Sequence, residues 1–390
     1  MDAGLLRGLR AARQRQLMEL ARKRRSAPGA LGALVERAQM LMPLVKAPLD
    51  APRAHRFVLD AAPRPNSKSA AVVAELTAAG VPRGRIWPPE QGRRPRPGSF
   101  LRRCLWLPWA LGLGVAVARR APRLDRAGRQ FVVGRAIYRR AFAANPALEP
   151  VILSDTSADR FMIWAGALAA GSPVMWWQDD AIHSRPLALP VTRAAVVNLP
   201  GLAAVRRAAP GADILRRPGT LPQAPRPIPE APRVGVAVNA LFSAAPDEIA
   251  ALARMRDALG VPRLSLRLHP NSRLRQRDLP GDWLEARPAD EPLESFAEAV
   301  DLALTGNSAV QLKLVCAGVP VALVPGLDPH PFDTYGYVAR GFVYGAPSPA
   351  DLDLGRLRAF YARHETRQEL AAYVSVPDEE GVADLSALAG

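Results

Sequence analysis

With 390 residues, about half of them hydrophobic, the chain has enough apolar side chains for two or three cored domains, and 39 Pro with 29 Gly fall short of a fibrous or disordered composition. Two cysteines set far apart, Cys104 and Cys316, exclude a disulfide framework and a cysteine-based zinc site and point to a reducing cytoplasm. The formal net charge of +16, mostly arginine, selects anionic partners: nucleic acid, acidic lipid or phosphorylated substrates.

Residues 1–50 read as a basic helical extension. Leu5, Leu6, Leu9, Leu17 and Leu20 form a partial apolar stripe among arginines that interrupt every run, so no secretory signal is predicted. Either this is a solvated basic helix or it adheres to an anionic membrane surface.

A βα alternation starts at residue 56, with strands predicted at 56–60 and 85–87 around a helix at 68–79. Residues 88–130 break the pattern as an insertion or helical excursion. Within it, 104–118 (CLWLPWALGLGVAVA) is too short to span a bilayer. It suits a buried helix or an interfacial segment with Trp106 and Trp109 at the headgroups. Gly112-x-Gly114-x-x-x-Ala118 mimics a dinucleotide fingerprint, but no strand precedes it. Alternation resumes with strands at 151–154, 173–177, 194–199 and 212–215 and helices at 158–170 and from 199 to about 209.

Residues 217–232 carry six prolines and no apolar period, which marks a semi-rigid linker. It divides an N-terminal unit, 51–216, from a C-terminal unit, 233–390. The second series predicts strands at 234–238, 264–268, 283–286, 302–304, 319–324 and 341–344 and helices at 246–259 and 293–299, with outer helices at about 350–375. A further helix between Ser308 and Gly318 follows the turn Thr305-Gly306-Asn307-Ser308. Asn307 or Ser308 can cap it, leaving its first N–H groups free for an anion. The fold class is therefore α/β: two Rossmann-like units facing across a cleft, behind a basic helical extension.

In such sheets ligands sit beyond the carboxyl ends of the strands. Asn239, then His269-Pro270-Asn271, then Thr305-Gly306-Asn307-Ser308, then Pro325-Gly326 follow four strands of the second unit. Hydroxyl donors, a histidine and glycine turns in that arrangement suit a nucleotide phosphate. In the first unit, Asp155 and Asp179-Asp180, with His183 nearby, offer a general base. Asp155 also reads as a helix cap and Asp179-Asp180 as a solvated loop. His330 and Asp333 either line the same pocket or shape a proline-rich turn. His55 and His364 belong to no constellation.

RLHPN (267–271), TGNSAVQLKLVCAGVPVALVPG (305–326) and YGYVARGFVYGAPSPADL (335–352) resemble the donor-binding half of GT-B glycosyltransferases. Among these, the similarity is to bacterial capsule and surface-polysaccharide enzymes: polysialyltransferases, Kdo-type capsule transferases and CDP-glycerol glycerophosphotransferases. It spans about 233–352, under a third of the chain. The resemblance implies that His269, Pro270, Asn307 and Ser308 contact nucleotide phosphates. It also implies a nucleotide-sugar co-substrate, CMP- or CDP-linked, with neither a separate cofactor nor a metal. Where many such enzymes place a ribose-binding Glu, this helix carries Gln311 and Lys313.

The implied function is transfer of a sugar to a surface-polysaccharide or lipid-linked acceptor, in the cytoplasm or peripherally on the inner membrane. Asp155 or Asp179 would serve as base, and Asn239, His269, Pro270, Thr305, Gly306, Asn307, Ser308 and Gly326 would form the donor site. The alternative is a catalytically inactive scaffold of the same fold in glycan assembly. A nucleic-acid binder is disfavoured, because the arginines are spread over both halves without a recognisable motif.

Overall fold

The computed structural model describes residues 55–59, 68–87, 97–120, 126–153, 158–178, 190–219, 221–239, 241–269, 274–288, 291–327, 333–363 and 365–389, with Pro48 and Ser272. The expected helices of the basic extension lie outside the described residues.

The first unit runs β1 (Phe57–Val58), α1 (Lys68–Ala78), β2 (Ile86–Trp87), α2 (Pro97–Arg120), α3 (Arg126–Ala144), β3 (Glu149–Leu153), α4 (Ala158–Ala170), β4 (Met175–Trp177), β5 (Arg193–Val196), α5 (Leu199–Ala208) and β6 (Asp213–Arg216). The second runs β7 (Val234–Ala237), α6 (Pro246–Leu259), β8 (Leu264–Arg267), β9 (Leu284–Ala286), α7 (Leu293–Ala299), β10 (Leu302–Thr305), α8 (Val310–Cys316), β11 (Val321–Leu323), β12 (Tyr344–Gly345), α9 (Leu354–Tyr361) and α10 (Glu365–Val374), before a last strand β13 (Val382–Asp384).

Two parallel sheets result, ordered β13-β6-β5-β4-β3-β1-β2 and β12-β11-β10-β7-β8-β9. Their strands read as continuous apolar runs because both faces are covered. Successive residues feed opposite cores. Ile152, Trp176, Ala194 and Val196 pack on one face of the first sheet, and Val151, Leu153, Met175 and Trp177 on the other. The second sheet repeats this, with Val234, Val236, Leu302 and Leu304 against Ala237, Ala303, Val321 and Leu323.

Helix α2 lies within the break at 88–130, and α3 starts near its end and runs on to Ala144. In α3 the buried residues Phe131, Ile137, Tyr138, Ala141 and Phe142 recur at helical spacing and face α4. The approach is close: a Cβ on Gly166 of α4 would lie 2.5 Å from the Tyr138 Cβ. No helix of the described residues is long and apolar enough to cross a membrane.

The structure departs from the expected division at its end. Residues of β13 pair with β6, Val382 opposite Ile214 and Asp384 opposite Arg216, so the chain returns to the first unit. Leu385 and Leu388 then bury against the Phe57 side of that sheet. The proline-rich segment is docked on the second unit: Gln223 N donates to Cys316 O at 2.8 Å and Arg226 N to Gly318 O at 2.8 Å. The Arg226 guanidinium adds bonds to Ala297 O at 2.7 Å and Ala317 O at 3.2 Å.

Candidate functional site

The second sheet has the doubly wound order in which the chain turns one way from β7 through β8 to β9 and the other way from β10 through β11 to β12. The crevice of such a sheet lies where that direction reverses, between β7 and β10. The register shows which residues meet at that edge. Ala237, Arg267, Thr305 and Leu323 stand opposite one another across four neighbouring parallel strands. Two residues beyond that row come Asn239, His269, Asn307 and Pro325, and one residue further come Ser308 and Gly326. The strand order thus brings Asn239, His269, Thr305, Gly306, Asn307, Ser308 and Gly326 to one edge, with the first and the turn 305–308 flanking the reversal. Pro270 lies outside the described residues.

The turn is held from below. Thr305 and Gln311 are fully buried. Gln311 Nε2 donates to Thr305 Oγ1 and to Gly306 O, both at 2.9 Å. Its Oε1 is buried with no hydrogen-bond partner among the described residues. Gln311 therefore points under the turn. A polar residue on the apolar stripe shared with Leu314 and Val315 was the sequence signal for this role.

The expected cap takes a different form. Helix α8 begins after Ala309, whose side chain makes no cap bond. Ser308 uses its own oxygens on the first amides: Val310 N donates to Ser308 Oγ at 3.4 Å and Gln311 N to Ser308 O at 3.3 Å. Asn307 faces the neighbouring turn instead. Its Nδ2 donates to Thr334 Oγ1 at 2.5 Å, and its Oδ1 accepts from Thr334 N at 3.2 Å. Two of the first helical N–H groups are thus engaged within the chain.

Asp333 shapes that turn. Its carboxylate accepts from Tyr337 N at 2.9 Å, Val338 N at 2.8 Å and Ala339 N at 3.0 Å. His330 lies outside the described residues. Asn239 Oδ1 accepts from Leu241 N at 2.7 Å, which bends the chain out of β7. Just beyond, Glu248 Oε2 gathers Ser243 N at 3.0 Å and Ala245 N at 2.9 Å, around Ala244 at φ +57°. A non-glycine residue in that conformation is strained, and it sits in the loop leaving the reversal point. His269, half-buried, turns its carbonyl to Ser272 N at 2.7 Å. Arg267, two residues earlier, has a buried Nε without a partner among the described residues; burial lowers its pKa, against the pull of Glu291 and Glu294.

In the first unit, Asp155, Asp179, Asp180 and His183 lie outside the described residues. The strand ends that precede them are defined, Leu153 closing β3 and Gln178 following β4. Gln178 is fully buried. It accepts from Val197 N at 2.9 Å and donates to Asn198 Oδ1 at 2.6 Å, while its carbonyl receives Arg217. Arg217 also pairs with Glu75 through Nε at 2.8 Å and lies 4.7 Å from the Trp177 ring centroid. Its partners are up to 142 positions away in sequence, which hid this network from a reading of the chain.

No known protein-family profile matches the chain, and no curated protein sequence does. Solved structures of similar architecture include CalG4, the calicheamicin glycosyltransferase (15% identity, TM-score 0.47), covering 81% of this chain and 92% of that one. The spinosyn rhamnosyltransferase SpnG gives 15% identity and a TM-score of 0.41 over 86% of this chain and 98% of its own. The S. aureus MnaA–UDP co-structure gives 11% and 0.44 over 83% and 92%.

Proposed function

We propose that this protein is a glycosyltransferase that moves a sugar from a nucleotide-activated donor, with the nucleotide at the reversal point of the second sheet. One observation carries the reading: Asn239, His269 and the turn 305–308 stand on adjacent register rows at the carboxyl edge, beside that point. Ser308 Oγ accepts from a backbone amide, so its O–H is the group to offer a phosphate. His269 supplies a second donor, positioned to stabilise negative charge as the nucleotide leaves. Thr305 and Gln311 hold the turn, and Pro270 and Gly326 complete the rim. CMP or CDP is the donor class suggested by the capsule-type resemblance. Asp155 or Asp179, each following a strand of the first unit, is the base that takes the acceptor's hydroxyl proton. The acceptor is a surface-polysaccharide or lipid-linked glycan, which places the enzyme at the inner face of an anionic membrane.

The test is a thermal-shift titration against CMP, CDP, UDP and GDP and their activated sugars. A ligand at about 100 times its Kd adds about 2.7 kcal/mol. A rise with one nucleotide, abolished in His269→Ala and Ser308→Ala, is the expected result. A well-folded protein that responds to none overturns the reading. The second reading, a scaffold without turnover, is favoured by Gln311, which leaves no carboxylate at the ribose position on α8. It predicts nucleotide binding without donor consumption, or no binding.

A further inference from the structure

We propose that the solvent face of α2 is an interfacial surface that lies on an anionic lipid bilayer. The inference deepens the membrane partner of the preceding reading and requires nothing of the nucleotide site.

Helix α2 is two-faced in an unusual sense. Its inner face is apolar: Leu107, Leu113 and Val117 pack against the first core, with Ala110 buried. Trp106 and Trp109 belong to that face as well, with the Arg140 guanidinium of α3 at 4.6 Å and 4.9 Å from their ring centroids. The two tryptophans are partly buried against that core and lie off the exposed face of the helix.

The outer face is apolar too. Cys104, Leu105, Pro108, Leu111, Gly112 and Val115 are all exposed, and at 3.6 residues per turn they fall, with Arg119, in an arc of about 120°. Leu105 is 69% exposed, Leu111 49% and Val115 52%. A water-facing helix surface of this width ordinarily carries charge. Here the stripe carries Arg119 alone, and the surrounding sequence is basic: residues 91–124 include eight arginines and no acidic residue.

An apolar stripe within an arginine-rich, acid-free segment fits a surface that is flat, apolar inside and negative at its rim, which describes an acidic bilayer. A second copy of the chain fits poorly, since its arginine-rich segment would meet its own kind. With the stripe in the acyl boundary, Arg119 reaches the phosphate level.

The chain supplies its own probe, because Cys104 is exposed on this stripe and Cys316 is buried. The full-length protein, labelled at Cys104 with an environment-sensitive fluorophore, is titrated with phosphatidylglycerol-containing vesicles and with phosphatidylcholine vesicles. The expected result is a blue shift with the former only, weakened by salt. Leu105→Gln, Leu111→Gln and Val115→Gln combined should lower vesicle affinity by about ten-fold or more, because interfacial affinity scales with the apolar area inserted. Circular dichroism and melting should stay unchanged.

Three results would overturn the proposal: a label that stays aqueous on vesicle-bound protein, a triple variant with full affinity, or no vesicle binding. A blue shift that appears without vesicles and grows with protein concentration would assign the face to a second copy instead. None of these results alters the nucleotide titration, so the two readings fail separately.

Discussion

Gln311 offers the sharpest test of how the candidate site is built. Gln311→Leu shortens the side chain by one bond and removes both donors, leaving Thr305 Oγ1 and Gly306 O without the two bonds they accept at 2.9 Å. Each acceptor stranded in a buried position costs about 1–3 kcal/mol. Leucine recovers part of this, because the wild-type Oε1 is already buried without a partner. The net loss should be about 1–3 kcal/mol, or roughly 3–9 °C in Tm for a unit of this size. Urea denaturation and thermal melting measure it, and the same samples titrated with the responding nucleotide should show weaker binding, since the turn loses its floor.

Gln311→Glu separates hydrogen bonding from shape. An ionised carboxylate would face the Gly306 carbonyl, so the folded form holds its proton above the unfolded pKa of about 4.3. The folded state then binds more protons, and the variant should lose stability as pH rises above that value, relative to wild type. If Gln311→Leu melts within about 0.5 kcal/mol of wild type and binds nucleotide normally, the turn is not held as described and the reasoning is wrong.

Three further outcomes are expected. One thiol should react rapidly with an aromatic disulfide reagent near pH 8 and the second only on unfolding, because Cys316 is buried and its pKa is pushed up to about 11 by desolvation. Gly318→Ala should destabilise more than Gly260→Ala: both have positive φ (+75° and +62°), but a Cβ on Gly318 would lie 2.6 Å from Ala224 O while that on Gly260 meets nothing. The Gly260 change should cost about 1–2 kcal/mol in denaturant titrations, and equal losses would show that the proline-rich segment is not docked at Gly318. Glu149 is buried, and desolvation raises its pKa despite the Arg193 bond at 2.7 Å. The folded state thus holds that proton more tightly, so this group subtracts stability as pH rises through and above its unfolded value; Glu149→Gln should flatten that part of the stability–pH curve, and an unchanged curve would refute the assignment.

The helices were the easiest part of the fold to read. Those at 158–170, 246–259 and 293–299 match to the residue, because each begins and ends where its apolar period does. The parallel alternation and the edge carrying Asn239, His269 and 305–308 followed from strand ends alone, since strand order decides which loops meet. What stayed hidden depended on distant partners. Residues 382–384 carry no apolar run, and only pairing with β6 makes them a strand. Asn307 reads as a cap until Thr334, 27 residues on, competes for its amide. Trp106 and Trp109 meet Arg140, which lies on the next helix.

The two units use the same device at their carboxyl edges. In the first, the fully buried amide of Gln178 ties the end of β4 to Val197 and Asn198, and Asn198 Oδ1 accepts from Gly201 N at 3.0 Å to start α5. In the second, the fully buried amide of Gln311 ties the end of β10 to the turn that precedes α8. A side-chain amide in a low-dielectric core is costly unless its bonds are made, so each network has few alternative arrangements and fixes the backbone where it attaches. The proposed functional residues begin at those attachment points: Asp179 follows Gln178 directly, and Asn307 and Ser308 lie between Thr305 and Gln311. The core around these glutamines is therefore part of the site's construction. Substituting either one should disturb ligand binding in proportion to the stability it removes, whereas a change at exposed Lys313, one turn along α8 from the site, should leave stability unchanged.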